Sequence, residues 1–170
     1  MSAAIASAIA AARNYLLDHP DEARYSDSAA TATLDDGLRV GVTGPDGASI
    51  STDMPGSVGG TASAPSPGWF LRAAHASCVA TLIAMRSAEV GIALRRLEVT
   101  VDSESDDRGI LGAAEDVPAG PLRSCVTVSI AADEASRPRL RDVVDWAVRH
   151  CPVDDAVRRA IPVSLEVSLD

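Results

Sequence analysis

Ile5, Ile9, Ala12 and Leu16 recur at the spacing of one helix face, which predicts a helix over Ala3–Leu17. HPDE, His19 to Glu22, ends it, because proline brings no N–H to continue the ladder. From Ser28 to Asp53 the period shortens. TATL, LRVGVT and ASIST are separated by DDG and GPDG, turn signals in which glycine supplies positive φ, so two or three antiparallel strands are expected. Val58–Pro67 is a glycine- and proline-rich loop. It leads into a long apolar helix with Ser66 as N-cap, Pro67 at the first helical position and Gly91 as the stop after about Val90. On that helix Leu71, Ala74, His75, Cys78, Leu82 and Met85 are expected to share a face.

Beyond Gly91, Leu97, Val99 and Val101 alternate with Glu98, Thr100 and Asp102, the mark of a half-buried strand. Leu122, Ser124, Val126, Val128 and Ile130 mark a second. RPRLRDVVDWAVRHC is an amphipathic helix with Leu140, Val143, Val144, Ala147, Val148 and Cys151 on its stripe. CPVDDAVRRAI adds a short helical turn, and VSLEVSL predicts a last strand with Val163, Leu165, Val167 and Leu169 inward. Strands, helix, strands, helix, strand make an α+β domain of antiparallel sheets and two main helices. Residues 1–25 are expected to form a helical arm and residues 26–170 a single domain.

Charge narrows the partners. A net −9 repels nucleic-acid phosphate and anionic lipid, so neither nucleic acid nor membrane is expected to bind. All 15 basic residues are arginine, which excludes a Schiff-base lysine, a P-loop lysine and a lysine base. Three cysteines are a poor framework for secreted disulfides, and no basic segment precedes the N-terminal alanines as in a signal peptide. The uncharged run Ala73–Met85 is too short to span a bilayer. A soluble cytoplasmic protein is the expectation.

The candidate chemistry lies in SPGWFLRAAHASCVATLIAM, where Cys78 follows His75 by one helical turn. Cys78 is either a small core hydrophobe beside a satisfied histidine, or a thiol kept for reaction. Cys151, in RHCPVDD, stands where a helix gives way to proline and is expected to be the more accessible thiol. Cys125 shares a strand face with Thr127 and Ser129 and is taken as a bystander. His75, Cys78, His150 and Cys151 also form a zinc-like set of two nitrogens and two sulfurs, though adjacent His-Cys is an awkward chelate. DSESDD, Asp102–Asp107, lacks EF-hand spacing and predicts a solvated turn. No GxSxG, HExxH or GxGxxG occurs.

Two stretches resemble a known family. VGGTASAPSPGWFLRAAHASC resembles the OsmC/Ohr segment in which a GG loop and a proline turn lead into the helix of the first catalytic cysteine. RHCPVDDAVRRAIPVSLEV is similar to its second-cysteine region, and GIALRRLEVTVDSE to its helix-to-strand step. The likeness covers roughly Ala30 to Asp170. It implies an OsmC-like α+β fold, an intertwined homodimer with active sites at the subunit interface, and reduction of organic hydroperoxides or hydrogen peroxide. Cys78 would be the peroxidatic thiol and Cys151 the resolving one, with an external dithiol as reductant and no metal or organic cofactor.

In peroxidase members an arginine held by a glutamate stabilises the thiolate. Arg39, in DGLRVGV, is the candidate arginine, but Gly68 stands where the glutamate is expected. That departure leaves Arg39 to swing, with Trp69 or His75 shaping the site instead. It also supports an alternative, a non-peroxidase protein that binds a small ligand or senses redox state. Trp69, Leu71 and Met85 would then line an apolar pocket, and His75 would tune the thiol or bond across the dimer.

Overall fold

The computed structural model describes residues 2–169. Among the described residues, short 3-10 turns aside, five α-helices and five strands follow in order: α1 (Ser2–Asp18), β1 (Thr31–Asp36), β2 (Arg39–Thr43), β3 (Ser49–Thr52), α2 (Pro67–Glu89), β4 (Leu94–Glu104), α3 (Asp107–Ile110), β5 (Arg123–Ala132), α4 (Arg137–Arg149) and α5 (Pro152–Arg158). The chain divides into two compact units. One is Ser7–Ala74; the other gathers the chain up to Ala6 with everything from His75 onward.

In the Ser7–Ala74 unit, β1, β2 and β3 form an antiparallel meander, with Thr33 opposite Gly41 and Val40 opposite Thr52. The first hairpin turns through Gly37, at φ +56°. β1 is exposed along its whole length, and no residue of α1 is buried. After β3 the chain coils around the buried Asp53 before Ser66 Oγ accepts the Trp69 N–H at 3.3 Å and starts α2.

In the unit that begins at His75, β4 and β5 pair antiparallel from Leu94 opposite Ala132 to Glu104 opposite Arg123. Their inward residues Leu97, Val99, Val126, Val128 and Ile130 pack on a core of Val79, Ile83, Ile92, Val143, Ala147 and Cys151. Complete burial of Ile83 and Val79 contributes roughly 1.5–3 kcal/mol apiece. The Arg86 guanidinium lies 4.9 Å over the Trp146 ring, joining α2 to α4. Gly91, at φ +71°, ends α2 where a β-carbon would be strained, and the Ile92 N–H returns to the Ser87 carbonyl.

Three expectations change. The buried stripe of α2 is His75, Val79, Ile83 and Ser87, while Leu71 and Ala74 are exposed and Cys78, Leu82 and Met85 flank it half-buried. α4 ends at Arg149, so Cys151 leaves its stripe and caps the next helix, which begins at Pro152. The terminal VSLEVSL forms no strand: residues 160–169 lie outside any helix or strand, with Val163, Leu165 and Leu169 at 88%, 86% and 89% exposed. An alternating pattern needs an open sheet edge to pair with, and within this chain the segment meets none. By length and composition α2 could cross a membrane, but its stripe from His75 to Ser87 is built into the core.

Candidate functional site

Cys78 sits in the middle of α2, three residues after His75 and one before Val79, so its thiol borders the buried stripe and stays half-exposed. Cys151 arrives from the other end of this unit. As α4 finishes, the chain turns and Cys151 caps α5, its Sγ accepting the Asp154 N–H at 3.4 Å. The two thiols are neighbours, since Cys78 acts on the Cys151 thiol. Burial pushes the Cys151 thiol up from its ordinary value; the Asp154 N–H opposes this and the neighbouring Cys78 adds to it. The expected order of accessibility is thereby reversed. The boundary cysteine is wholly buried and the mid-helix one is open, because α5 folds Cys151 back onto the core.

Asp154 joins these elements. Its carboxylate is buried, with Oδ1 accepting from His75 Nε2 at 3.0 Å and Oδ2 accepting from Arg158 Nε one turn along α5. A carboxylate only accepts, so Nε2 is the donor of this bond. His75 therefore finds its partner within its own chain. Asp154 holds the Arg158 guanidinium above its ordinary value through this bond and its charge. Nothing in the sequence singled out Asp154. CPVDD shows only acidic residues in the first turn of a helix, a common pattern, and no spacing reveals a bond 79 residues long.

Arg39 lies in the other unit and is anchored rather than free to swing. Its Nη1 donates to Ser63 Oγ at 2.9 Å, its Nη2 to Ser51 Oγ at 3.4 Å, and its Nε lies 3.8 Å from Asp35 Oδ2. Ser63 is itself held. Its N–H and hydroxyl both donate to Asp53 Oδ2 at 2.9 Å, and Thr61 donates its hydroxyl to the same oxygen at 2.6 Å. These donors, the Thr61 hydroxyl first, hold the Asp53 carboxyl well below the usual carboxylate range. At Gly68 a β-carbon would come no closer than 3.9 Å to any neighbour, so space does not account for the glycine.

Trp69 and Leu71 are exposed, Trp69 edge-on to Phe70 at 5.0 Å between ring centres. A cavity of about 740 Å³ lies instead in the His75–Asp170 unit, lined by His75 and Asp154 and by Val126, Val128, Leu140 and Val144 of β5 and α4. Trp69, Leu71 and Met85 are not among its walls. The zinc-like set is not assembled: His75 Nε2 is on Asp154, and His150 stacks on Trp146 with Nδ1 at that residue's carbonyl. No three potential metal-ligating side chains cluster among the described residues. Cys125 is exposed on β5. Of DSESDD only Ser105 and Asp106 form a turn: Asp102–Glu104 end β4, and Asp106 caps α3 by accepting the Arg108 N–H.

The family model described as OsmC-like protein matches residues 60–166, from the loop before α2 past α5. The chain belongs to the OsmC-like family. Solved structures agree on the fold. An OsmC-like protein from Mycoplasma pneumoniae superposes with a TM-score of 0.67 at 15% identity, over 79% of this OsmC-like chain and 89% of that one. An organic hydroperoxide resistance protein OsmC from Legionella pneumophila gives 0.58 at 20%, over 79% and 91%. A protein from Vibrio cholerae, described as a putative organic hydroperoxide resistance protein with captopril bound in one of its active sites, gives 0.53 at 23%, over 79% and 86%. No curated protein sequence matches the OsmC-like chain.

Proposed function

We propose that this OsmC-like protein is a thiol peroxidase acting on organic hydroperoxides or hydrogen peroxide through Cys78 and Cys151. The observation that carries the reading is a half-exposed Cys78 thiol set against a fully buried Cys151 thiol. Peroxide from solvent meets Cys78 first. The Cys78 thiolate attacks the O–O bond, the distal oxygen stays on sulfur as sulfenic acid, and the other leaves, with a proton, as alcohol or water. The Cys151 thiol then displaces hydroxyl as water and closes a Cys78–Cys151 disulfide. An external dithiol reopens it by exchange, taking the disulfide oxidation onto itself. Arg39 is the proposed cation for the thiolate, with Ser63 rather than a glutamate as its anchor.

The test is consumption of cumene hydroperoxide with dithiothreitol as reductant. Wild type is expected to turn over, and Cys78→Ser to fall at least about 100-fold, to the uncatalysed background, as loss of a covalent nucleophile requires. Equal rates for the two proteins would sink the reading. The second reading, a ligand-binding or redox-sensing member of the family, is favoured by Gly68 and would be supported by a small molecule retained in native mass spectrometry of a peroxide-inert wild type.

A second copy of the chain is the proposed partner, covering the exposed alternating residues Val163, Leu165, Val167 and Leu169. Light scattering is expected to give twice the chain mass, and one chain mass once residues 161–170 are removed. A cytoplasmic location is part of the same reading.

A further inference from the structure

α5 is short and mostly wet. Of its seven residues, Asp154 alone is buried and Val153 half-buried, while Pro152 and Asp155–Arg158 face solvent. Apart from Cys151 and Val153, which sit against the core, the inward anchor of this helix is the Asp154 carboxylate. Its bond to His75 runs to the helix that carries Cys78, one turn before that thiol. The same residue's N–H holds the Cys151 sulfur. Asp154 thus grips one cysteine through its backbone and the other cysteine's helix through its side chain.

A carboxylate withdrawn from water is a costly way to fasten a helix, since an apolar side chain of similar volume holds as well or better. What the hydrogen bond adds is direction. Oδ1 has one partner at one distance, and that fixes the rotation of α5 about its own axis and so where the Cys151 sulfur points.

We propose that Asp154, clamped by His75, is the positioning residue that holds Cys151 in line with Cys78 for disulfide closure. This deepens the peroxidase reading and rests on its assignment of Cys151 as the resolving thiol. In closure the Cys151 sulfur bonds to the Cys78 sulfur, and the group already on Cys78 departs with the bonding pair. The clamp supplies neither proton nor electron; it sets the approach.

Closure can be measured without peroxide. In a Cys125→Ser background, Ellman's reagent converts Cys78 to its mixed disulfide, releasing one thionitrobenzoate. Attack by Cys151 then releases a second as the Cys78–Cys151 bond forms. Asp154→Ala and His75→Ala are expected to slow the second release by about 10- to 100-fold, the usual consequence of misplacing a reacting group by about an ångström. The first release should keep its wild-type rate. His75→Gln, whose amide N–H still reaches a carboxylate, should restore most of the closure rate, so the proposal remains testable even where Asp154→Ala fails to fold. Arg158→Ala, which removes a solvent-facing partner of the same carboxylate, should lower the melting temperature without slowing closure. Wild-type closure in His75→Ala, or closure rates that simply follow melting temperature across the four variants, would overturn the clamp. A wild type that closes the ring yet consumes no hydroperoxide would overturn the peroxidase reading and leave the clamp standing.

Discussion

Asp53 and Asp154 are both buried carboxylates, one in each compact unit, and they are satisfied in opposite ways. Every donor to Asp53 is neutral and near in sequence: the Met54 N–H, and the N–H and hydroxyl groups of Thr61 and Ser63, no more than ten residues away. Asp154 takes one bond from a histidine 79 residues off and one from an arginine in its own helix. The first arrangement closes a loop on itself and is complete without the rest of the fold. The second exists only when two distant helices have packed, and its partners are cations or potential cations. A carboxylate wrapped in neutral donors shapes a loop; one bonded to a distant imidazole reports, and enforces, the alignment of two elements.

The largest expected effect tests whether the Asp53 loop is a rigid cage. A β-carbon on Gly60 would lie 1.9 Å from the Met54 carbonyl oxygen, a clash with backbone that cannot rotate away. Gly60→Ala should therefore destabilise by about 3 kcal/mol, the upper part of the overpacking range, seen as a lower urea midpoint. An unchanged midpoint would mean that the loop yields, and the contrast with Asp154 would weaken.

A charge test comes next. The folded Asp53 carboxyl titrates below its unfolded value, so its contribution to stability is full above the unfolded value and is lost as pH falls. Asp53→Asn should be less stable than wild type at neutral pH, and the gap should narrow as pH drops below about 4, the ordinary carboxylate range. Urea titrations at a series of pH values measure it; a gap of constant size would show that Asp53 acts by shape and not by charge.

The smallest effect tests the link from this loop to Arg39. Ser63→Ala removes the hydroxyl between Asp53 and the guanidinium and should cost about 1 kcal/mol, typical of one hydrogen bond. If Arg39 serves the reaction as proposed, peroxide turnover in Ser63→Ala should fall several-fold at a temperature well below its melting point, which should drop by only about 2–4 °C. Full turnover would leave Arg39 to its other contacts at Ser51 and Asp35.

The alternation in β4 and β5, the Ser66 cap, the Gly91 stop and the turn glycines could all be read directly, because each depends on a residue's own backbone preferences or on a local period. The same local logic failed at three places. It put Cys151 on the end of α4, where the chain instead breaks and starts a new helix at Pro152. It turned the stripe of α2 by a fraction of a turn, since nothing local says which neighbours a helix of small residues will meet. It read the terminal VSLEVSL as a strand, although within the chain that segment pairs with no sheet edge.

The two cysteine-bearing stretches, their order and the glycine at position 68 are properties of the sequence by itself, and with them the fold class. Which thiol is open and which is closed, the bond from His75 to Asp154, and the anchoring of Arg39 by Ser63 were decided only by tertiary packing. Periodicity records which face of a segment avoids water. It carries no record of what stands opposite, and every one of those contacts is made by what stands opposite.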